Sequence, residues 1–470
     1  MLGIVVVGAG LGAMAAAARL ARAGHRVTVV ERSETHGGAV GRWERDGFAF
    51  DTGPGLLHFP AVWRDLFVKT GREELGEVLD LRQLDPAVEH RFADGTAVLL
   101  PQGAGGVRRA LDASLGAGAG ERWASLLRRA RAAWETTRRP LLEEPLTGRP
   151  APGAFAEDAY PAARRGLLPW GRGADRTLAR AAAAELRDPR LAALLTGTVR
   201  DWGVDPERAP AGAALLVYAE QTFGSWYPAG GMRALADAVY ERCRARGVEF
   251  RFGAEAAGIV ERSGRAAGVE LADGSRVAAE AVVWGAPGVG APPVGASRFT
   301  LLVALRGARP PGTPHRTLVH AADGLTVSVL RPDDPALRPD AGHEAAVLSA
   351  QVSAGPGPWA DAREVEAFAE RLLDAAEAAG LGLRGRVLWH RARTPLDVER
   401  ETGVPGGVVP APALAGGGGR FLAAPNTGRL PGTYRAGGLA HPGGGLPHAG
   451  MSGAMAAGLI TEGPDWRGST

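Results

Sequence analysis

The sequence of 470 residues contains a single cysteine, Cys243, and a single lysine, Lys69. One cysteine cannot form an internal disulfide, and it fits a reducing compartment. Arginine supplies almost all of the positive charge and so raises the isoelectric point, although 54 basic residues against 51 acidic ones leave a formal charge of only +3. Runs of five or six like charges are absent, so we expect no nucleic-acid partner.

Long apolar runs are also missing. A membrane-spanning helix needs about 20 consecutive apolar residues, and no stretch approaches that length. The first residues, MLGIVVVG, lack a basic segment and lead directly into a glycine motif, so they predict a buried strand and not a signal peptide. No group of His, Cys and carboxylate residues has metal-ligand spacing, so no metal is expected. We expect a cytoplasmic protein, either soluble or bound peripherally to the inner face of the membrane.

The N-terminus has the pattern of a dinucleotide-binding βαβ unit. Gly3 to Val7 predicts a strand, Leu11 to Ala23 a helix of small residues, and Val27 to Val30 a second strand. Between the first strand and the helix, GAGLGA (Gly8 to Ala13) has the form G-x-G-x-x-A. Its glycines permit a tight turn and a close approach to a pyrophosphate bound at the helix N-terminus. Glu31, at the end of the second strand, can accept hydrogen bonds from ribose hydroxyls.

The remaining chain changes character several times. Residues from about 60 to 225 are largely helical in pattern, with proline-rich breaks. Residues 248–284 contain four short segments, separated by glycines and by Asp-Gly, that predict a β-meander. Three strands and one helix are predicted beyond it, at residues 301–305, 325–330, 345–352 and 363–379. A stretch rich in Gly and Pro then precedes a small-residue helix that ends near Ile460.

The segments that follow the βαβ unit favour a flavin over a nicotinamide cofactor. Glu31 is followed by Arg32 and by the pair Gly37-Gly38, and then by GFAFDTGPG over residues 47–55. Here the chain resembles the flavin amine oxidase superfamily, and more closely its phytoene desaturase (carotenoid desaturase) branch. In that branch the glycine pair lets the loop pass close to the cofactor phosphates. Gly53-Pro54 corresponds to the turn beside the flavin ring.

Three further segments are similar to that branch. WYPAGGM, from Trp226 to Met232, resembles its Y-P-x-G-G-M turn, and Ala254 to Ala256 resembles the strand whose backbone meets the adenine. The segment from Tyr434 to Pro447 resembles its C-terminal G-x-x-x-H-P-G-x-G-x-P signature. Pro447 at a helix start would direct free N–H groups at the carbonyl edge of the flavin.

The sequence departs from the family pattern after the glycine pair. The family often has Arg there, whereas this chain has Ala39, with Arg42 three residues later, so the contact of that Arg with phosphate or flavin is open. Gly438 replaces the acidic residue of many amine oxidases, as it does in the desaturase branch. The motif and the resemblance together assign FAD binding to Gly8, Gly10, Leu11, Gly12, Ala13, Glu31, Arg32, Gly37, Gly38, Ala39, Arg42, Gly53, Pro54, Gly55, Ala256, Gly438, Gly445, Leu446 and Pro447.

His441 is the ionisable side chain inside the C-terminal glycine signature. It is therefore a candidate catalytic base or proton shuttle. The alternative is that it only packs and hydrogen-bonds beside the cofactor, which we favour because dehydrogenation needs mainly hydride transfer to the flavin. We expect non-covalent FAD, since the signature contains no cysteine that could attach it.

The motifs predict an α/β protein with a discontinuous Rossmann-like FAD-binding domain and a mixed α+β substrate domain. We assign to the FAD-binding domain residues 1–75, 225–290 and 418–470, and to the substrate domain residues 76–224 and 291–417. Large aromatics of the substrate region either line an apolar tunnel or belong to the core; they are Trp134, Trp170, Trp202, Phe223 and Trp226. Residues 160–170 are a candidate for membrane contact, although their prolines disfavour a regular amphipathic helix.

The resemblance implies removal of two hydrogens from adjacent carbons of an apolar isoprenoid or carotenoid substrate. A hydride would pass to flavin N5, a proton would leave from the neighbouring carbon, and oxygen, a quinone or another acceptor would reoxidise the flavin. Two alternatives keep the fold: oxidation of an amine or another metabolite, and isomerisation or saturation of a polyene. A third is a non-catalytic prenyl-binding protein, against which the intact glycine motifs argue. Substrate, number of desaturation steps, electron acceptor and oligomeric state stay open.

Overall fold

The chain folds into a parallel sheet, a mixed sheet and a set of helices. The computed structural model describes residues 1–148, 153, 155–161, 176–288, 295–355 and 357–468. Its strands are β1 (Gly3–Val7), β2 (Arg26–Val30), β3 (Arg42–Arg45), β4 (Phe48–Asp51), β5 (Leu57–His58), β6 (Leu81–Gln83), β7 (Val88–Phe92), β8 (Ala97–Leu100), β9 (Ser225–Pro228), β10 (Glu249–Arg251), β11 (Ala256–Arg262), β12 (Arg265–Leu271), β13 (Arg276–Ala278), β14 (Ala281–Trp284), β15 (Ala296–Arg306), β16 (Arg316–His320), β17 (Thr326–Leu330), β18 (His343–Ser353), β19 (Val387–Arg393) and β20 (Thr433–Arg435). Its α-helices are α1 (Leu11–Arg22), α2 (Ala61–Gly71), α3 (Leu75–Val78), α4 (Ala104–Leu115), α5 (Ala119–Arg138), α6 (Leu178–Leu186), α7 (Pro189–Asp201), α8 (Ala214–Phe223), α9 (Met232–Ala245), α10 (Ala362–Ala378), α11 (Pro395–Thr402) and α12 (Leu446–Thr461).

A five-stranded parallel sheet with the order β10-β2-β1-β14-β20 contains the predicted βαβ unit. Its central strands are runs of β-branched residues because both faces of the sheet are covered. Val6 and Val29 pack with helices α1 and α9 on one face, whereas Val5 and Val282 pack with β12 and β13 on the other. The α/β fold with a Rossmann-like unit is thereby confirmed.

The predicted four-strand meander over residues 248–284 is wrong at both ends. Of the four predicted strands, the two middle ones, β11 and β12, form an antiparallel sheet together with β13, whereas the outer two, β10 and β14, join the parallel sheet. A short apolar run such as that of β14 fits either kind of sheet. The choice depends on a partner far away in the chain, since Ala281 pairs with Ile4.

A seven-stranded mixed sheet, with the order β19-β15-β18-β17-β16-β7-β8, forms the second part of the molecule. The three strands predicted beyond residue 299 are confirmed as β15, β17 and β18, and α10 packs on this sheet through Leu372 and Leu373. The helical prediction for residues 60–225 is wrong at β6, β7 and β8. Strand β7 was not predicted because its polar residues do not show the apolar pattern of a buried strand. Glu89 and His90 are nevertheless buried, since β16 pairs alongside them.

The parallel sheet takes its strands from three separated segments of the chain, and the domain boundaries proposed above stay a prediction. Most of the candidate membrane-contact segment, residues 162–170, lies outside the described part of the chain. No helix of the described part of the chain is both long and apolar enough to cross a membrane.

A buried histidine pair joins β7 to β16. His90 Nδ1 lies 3.0 Å from His320 Nε2, and Phe92 stacks on the His320 ring with the centroids 4.6 Å apart. Burial lowers the pKa of His320 to about 4 and that of His90 well below its usual value. Both rings are therefore neutral at pH 7, and the folded state binds protons less readily than the unfolded chain does.

We expect this pair to make the protein acid-sensitive. The folded pKa of His320 is about 4 against 6.5 for the unfolded chain, so stability should fall as the pH drops below 6.5, by about 1.4 kcal/mol per pH unit down to pH 4. His320→Phe should flatten the pH dependence of the thermal unfolding midpoint. Phe92→Leu disturbs the same stack without removing a proton site and should lower the midpoint equally at every pH. Equal slopes in both variants would contradict the assignment.

Candidate active site

The turn between β1 and α1 has the geometry of an anion-binding site. Gly8 has a φ of +92°, and Gly10 is the N-cap of α1. Within the described residues, no side chain caps this helix and no heavy atom lies within 4 Å of an ideal Cβ on Gly10. The first helical residues, Leu11 to Met14, include no acid. Free N–H groups thus face open space at the positive end of the helix, where a pyrophosphate binds favourably.

The predicted glycine pair lies directly against this turn. The Gly37 N–H donates to the Ala9 carbonyl at 2.9 Å, and an ideal Cβ on Gly38 would lie 2.9 Å from Gly10 Cα. Gly37 and Gly38 also have positive φ values, +108° and +58°. Side chains at these positions would separate the loop from the turn, so the glycines allow the close approach that the sequence predicted.

Glu31 lies at the carboxyl end of β2, where the ribose contact is predicted. Its Oε2 accepts from the Ala9 N–H at 2.6 Å and its Oε1 accepts from the Ser33 N–H at 2.9 Å. Oε1 also accepts from the Ser33 hydroxyl at 2.8 Å, whereas Oε2 keeps a lone pair for a further donor. The Ala254 N–H donates to the Glu31 carbonyl at 2.8 Å, and β11 begins two residues later at Ala256. The segment predicted to meet the adenine therefore runs beside the end of β2.

The C-terminal segment reaches the same region from the opposite end of the chain. An ideal Cβ on Gly12 would lie 2.6 Å from Gly437 Cα, which places the segment against α1. Gly445 is the exposed N-cap of α12, and Leu446 and Pro447 form its first turn. This second helix start has no side-chain cap among the described residues, so its N–H groups are available to an electron-rich ligand edge.

The turn predicted to lie beside the flavin ring packs on the loop that follows the glycine pair. An ideal Cβ on Gly53 would lie 2.1 Å from the Ala39 carbonyl oxygen, and one on Gly55 would lie 2.3 Å from Leu330 Cδ1. Gly53 and Pro54 are exposed. The backbone of this turn therefore borders accessible space next to Ala39.

Two predicted cofactor ligands make other contacts. Arg32 Nη2 donates to the carbonyls of Arg400 and Glu401 at 3.0 and 2.7 Å. Arg42 donates to the Gly230 carbonyl at 3.1 Å and to Glu44 at 2.5 Å. Both guanidinium groups thus connect loops of this chain, and their role toward FAD stays a prediction.

Asp51 has a structural role that its sequence position did not reveal. Its carboxylate accepts from the Met232 N–H at 2.8 Å and the Arg233 N–H at 3.1 Å, and so caps α9 from a distant strand. Burial raises its pKa to about 6, and these N–H groups act in the opposite direction. The cap holds the Y-P-x-G-G-M turn, at Gly231, against Asp51, which directly precedes the turn predicted to lie beside the flavin.

Two histidines lie near the start of α12. His441 is fully buried, its ring nitrogens have no hydrogen-bond partner in the described structure, and burial lowers its pKa to about 4. His448 lies in the first turn of α12, where burial also lowers the pKa to about 4. Both rings are neutral at pH 7. The sequence analysis missed His448, although its place directly after Pro447 was a usable signal.

A cavity of 2040 Å³ adjoins this region. It reaches Trp284 at the end of β14 and Gly438 of the C-terminal segment. Most of its described lining is apolar or glycine. Its charged lining residues are Asp205, Glu207, Arg208, Arg420, Arg429 and Arg435.

Of the predicted tunnel aromatics, Trp134 is buried in the helical core and Phe223 is 37% exposed. Trp202 and Trp226 are half-buried, and Trp170 lies outside the described residues.

A surface group of potential metal ligands was also not predicted from the sequence. Glu366, Glu370 and His390 bring ligand atoms within 4.8 Å of one another, because β19 passes beside α10. Arg384 already donates to Glu370 at 2.6 Å. The group lies on the mixed sheet and not at the glycine-rich site.

Comparison with known proteins identifies the family to which this chain belongs. The model of the flavin-containing amine oxidoreductase family matches residues 14–302. The chain belongs to this family. It is an FAD-dependent oxidoreductase, and its resemblance to the carotenoid desaturase branch is confirmed by its relatives. In flavin-containing amine oxidoreductases the cofactor carries the redox chemistry, so the two uncapped helix starts and the glycine contacts described above fit a bound FAD.

Two relatives within this branch align along nearly the whole chain. Hydroxyneurosporene desaturase of Rubrivivax gelatinosus is 31% identical over 493 aligned positions, which cover 97% of this chain and 92% of that protein. A 4,4'-diapolycopene oxygenase of Methylomonas sp is 27% identical and is covered to 96%, as is this chain. A solved oxidoreductase of Methanosarcina mazei shares the fold, with a TM-score of 0.65 and 17% identity over 96% of this chain and 99% of that one.

Gly10 offers a clean test of the pyrophosphate site. Because an alanine there meets no described atom within 4 Å, Gly10→Ala should leave the thermal midpoint of the apoprotein unchanged while filling the space for the cofactor. We expect FAD to bind at least about tenfold more weakly, measured by titrating the apoprotein with FAD.

The matched control is Gly76→Ala in α3, where an ideal Cβ also has no neighbour within 4 Å in the described chain. Its FAD affinity should equal that of the unaltered protein. Equal affinity in the Gly10 variant would show that the pyrophosphate binds elsewhere.

Proposed function

We propose that the protein desaturates a linear isoprenoid of the carotenoid class. The observation that carries this proposal is the full-length similarity to hydroxyneurosporene desaturase, 31% identical over 97% of the chain. The cavity supports it, since a largely apolar space of 2040 Å³ adjoins the cofactor-facing segment at Gly438. An apolar cavity favours binding of a hydrocarbon chain, because the transfer of the chain from water is favourable in proportion to the apolar area buried.

FAD, when bound, supplies the acceptor for the hydride. The residues of this chain bind and orient it: the α1 N-terminus at Gly10 would bind the pyrophosphate, and Glu31 the ribose hydroxyls. The α12 N-terminus at Gly445 would place its free N–H groups at the carbonyl edge of the ring, where they stabilise negative charge. The remaining predicted ligands, including Ala39, Gly53 and Ala256, would contact FAD through their backbone.

His441 stays a candidate for the proton that leaves the substrate. Its ring is neutral at pH 7 because burial lowers its pKa to about 4, so it can accept a proton, although only as a weak base. Its backbone is held at both sides, since its N–H donates to Ala424 and its carbonyl accepts from Asn426, each at 2.7 Å. This rigid setting favours the packing role.

Charge in the cavity argues against an amine substrate. The charged residues of its described lining comprise four arginines and two acids. A protonated amine would be repelled by the net positive charge there, whereas an uncharged chain would not. Oxygenation of a polyene is the second candidate, because the diapolycopene oxygenase of Methylomonas sp aligns over 96% of both chains.

The electron acceptor and the membrane are further parts of the proposal. We propose that oxygen or a quinone reoxidises the flavin. We also propose a peripheral contact of the protein with the inner face of the membrane, where a carotenoid would be dissolved. The apolar character expected of the substrate supports this, because it partitions into lipid.

Anaerobic reduction of the flavin tests the function. The purified FAD-bound protein should lose its visible flavin absorption when acyclic carotenoids in liposomes are added without oxygen, and the product should carry one more conjugated double bond. Amines of similar length should leave the spectrum unchanged. Product formed only with oxygen would favour the oxygenase, and bleaching by an amine alone would overturn the proposal.

A further inference from the structure

A buried ionic cluster lies in the helical part of the substrate region. Arg316 on β16 is 1% exposed, and its guanidinium contacts Glu220 on α8 at 2.5 Å and Asp201 at the end of α7 at 2.8 Å. Arg298 on β15 donates to the other oxygen of Asp201 at 2.9 Å. Two cations thus balance two carboxylates. Burial by itself would raise the pKa of Asp201, but Arg316 and Arg298 lower it to about 2, so it is ionised.

The cluster fixes a tryptophan. The second oxygen of Glu220 accepts from the Trp202 indole N–H at 3.0 Å. The indole stacks on His58 with the ring centroids 4.7 Å apart, and His58 Nε2 lies 3.9 Å from the same Glu220 oxygen. Trp202 directly follows α7, so both its backbone and its ring nitrogen are held. Removing one member of a buried ion pair is costly, which makes the cluster a rigid support.

The free edge of this tryptophan reaches the start of α12. An ideal Cβ on Gly445 would lie 3.5 Å from Trp202 Cζ3, and the His448 ring packs edge-on at 6.2 Å between centroids. The next two residues, Gly203 and Val204, line the large cavity. The half-buried indole therefore lies between the ionic cluster and the helix start that would face the flavin, and the two residues that follow it reach the cavity.

We propose that Trp202 contacts the substrate and determines which bond reaches the flavin, and that Glu220, held by Arg316, is its positioning residue. The inference rests on the proposed desaturation of an isoprenoid chain. An indole offers a large flat apolar surface with few rotatable bonds. Its orientation can therefore determine how far a substrate chain that lies on it reaches toward the flavin. The Glu220 hydrogen bond defines that orientation, because it is the polar contact of the ring.

The test uses the FAD-bound protein with substitutions at both positions. Trp202→Leu should weaken binding of the product polyene, measured by its absorption shift without turnover, and should raise KM by about tenfold or more. It should also move the position of the new double bond. Trp202→Phe keeps an aromatic ring without the N–H, leaves the ionic cluster intact, and should give a smaller change in the same direction.

Glu220 is tested by rescue. Glu220→Gln retains an acceptor for the indole N–H and should weaken polyene binding less than Glu220→Leu does. The matched control is Trp123→Phe, which removes an indole donor that bonds Gln221, the residue next to Glu220, at 3.1 Å. This control should leave polyene affinity and product unchanged. FAD content and thermal midpoints of all variants report on folding.

The outcomes separate this inference from the function on which it rests. Weaker binding and an altered product in the Trp202 variants, with normal FAD content, would support it. Unchanged affinity and product in Trp202→Leu and Trp202→Phe, while the unaltered protein is still reduced by the polyene, would overturn it and leave desaturation standing. A flavin that no polyene reduces in the unaltered protein would overturn both.

Discussion

Helices α1 and α12 pack backbone against backbone, and the cofactor site depends on this contact. An ideal Cβ on Gly453 would lie 2.3 Å from the Gly12 carbonyl oxygen, so neither helix tolerates a side chain there. The small residues of α1, such as Ala15 and Ala16, are fully buried for the same reason. The contact brings together the N-terminal parts of two helices from opposite ends of the chain, and their uncapped starts, at Gly10 and Gly445, are both predicted to contact the cofactor. Both would present positive helix ends to an electron-rich cofactor.

The two halves of the site are built in opposite ways. The cofactor side consists of glycines that leave space for backbone contacts, and it carries little side-chain chemistry. The proposed substrate side is defined by side chains, since Arg316 contacts Glu220 and Asp201, and Glu220 accepts from the Trp202 indole. Such a cluster stabilises the fold little by itself, since desolvation offsets most of the attraction between its charges. Its contribution is a defined geometry beside the start of α12, which is predicted to face the flavin.

The near-absence of lysine has a structural counterpart in how the arginines are used. Arg32 donates to the carbonyls of Arg400 and Glu401, Arg42 to that of Gly230, and Arg386 to those of Arg306 and Gly307. A guanidinium carries several donors in a rigid plane and can bond two loops at once, whereas a lysine ammonium cannot match that geometry. These arginines therefore connect separate segments of the chain.

The sequence alone determined the βαβ unit, because it depends on local conformation and on a motif with fixed spacing, and it indicated the flavin class through the resemblance of its motifs to a known family. It also indicated three of the seven strands of the mixed sheet, β15, β17 and β18. Tertiary structure decided the rest. The partners of β7, β10 and β14 lie far away in the chain, and pairing energy between distant strands leaves no local pattern. Likewise, Asp51 capping α9, Arg316 joining Asp201 to Glu220, and Arg42 bonding Gly230 unite residues from separate segments. Only folding brings these groups together, so only the structure could show which residues each charged side chain contacts.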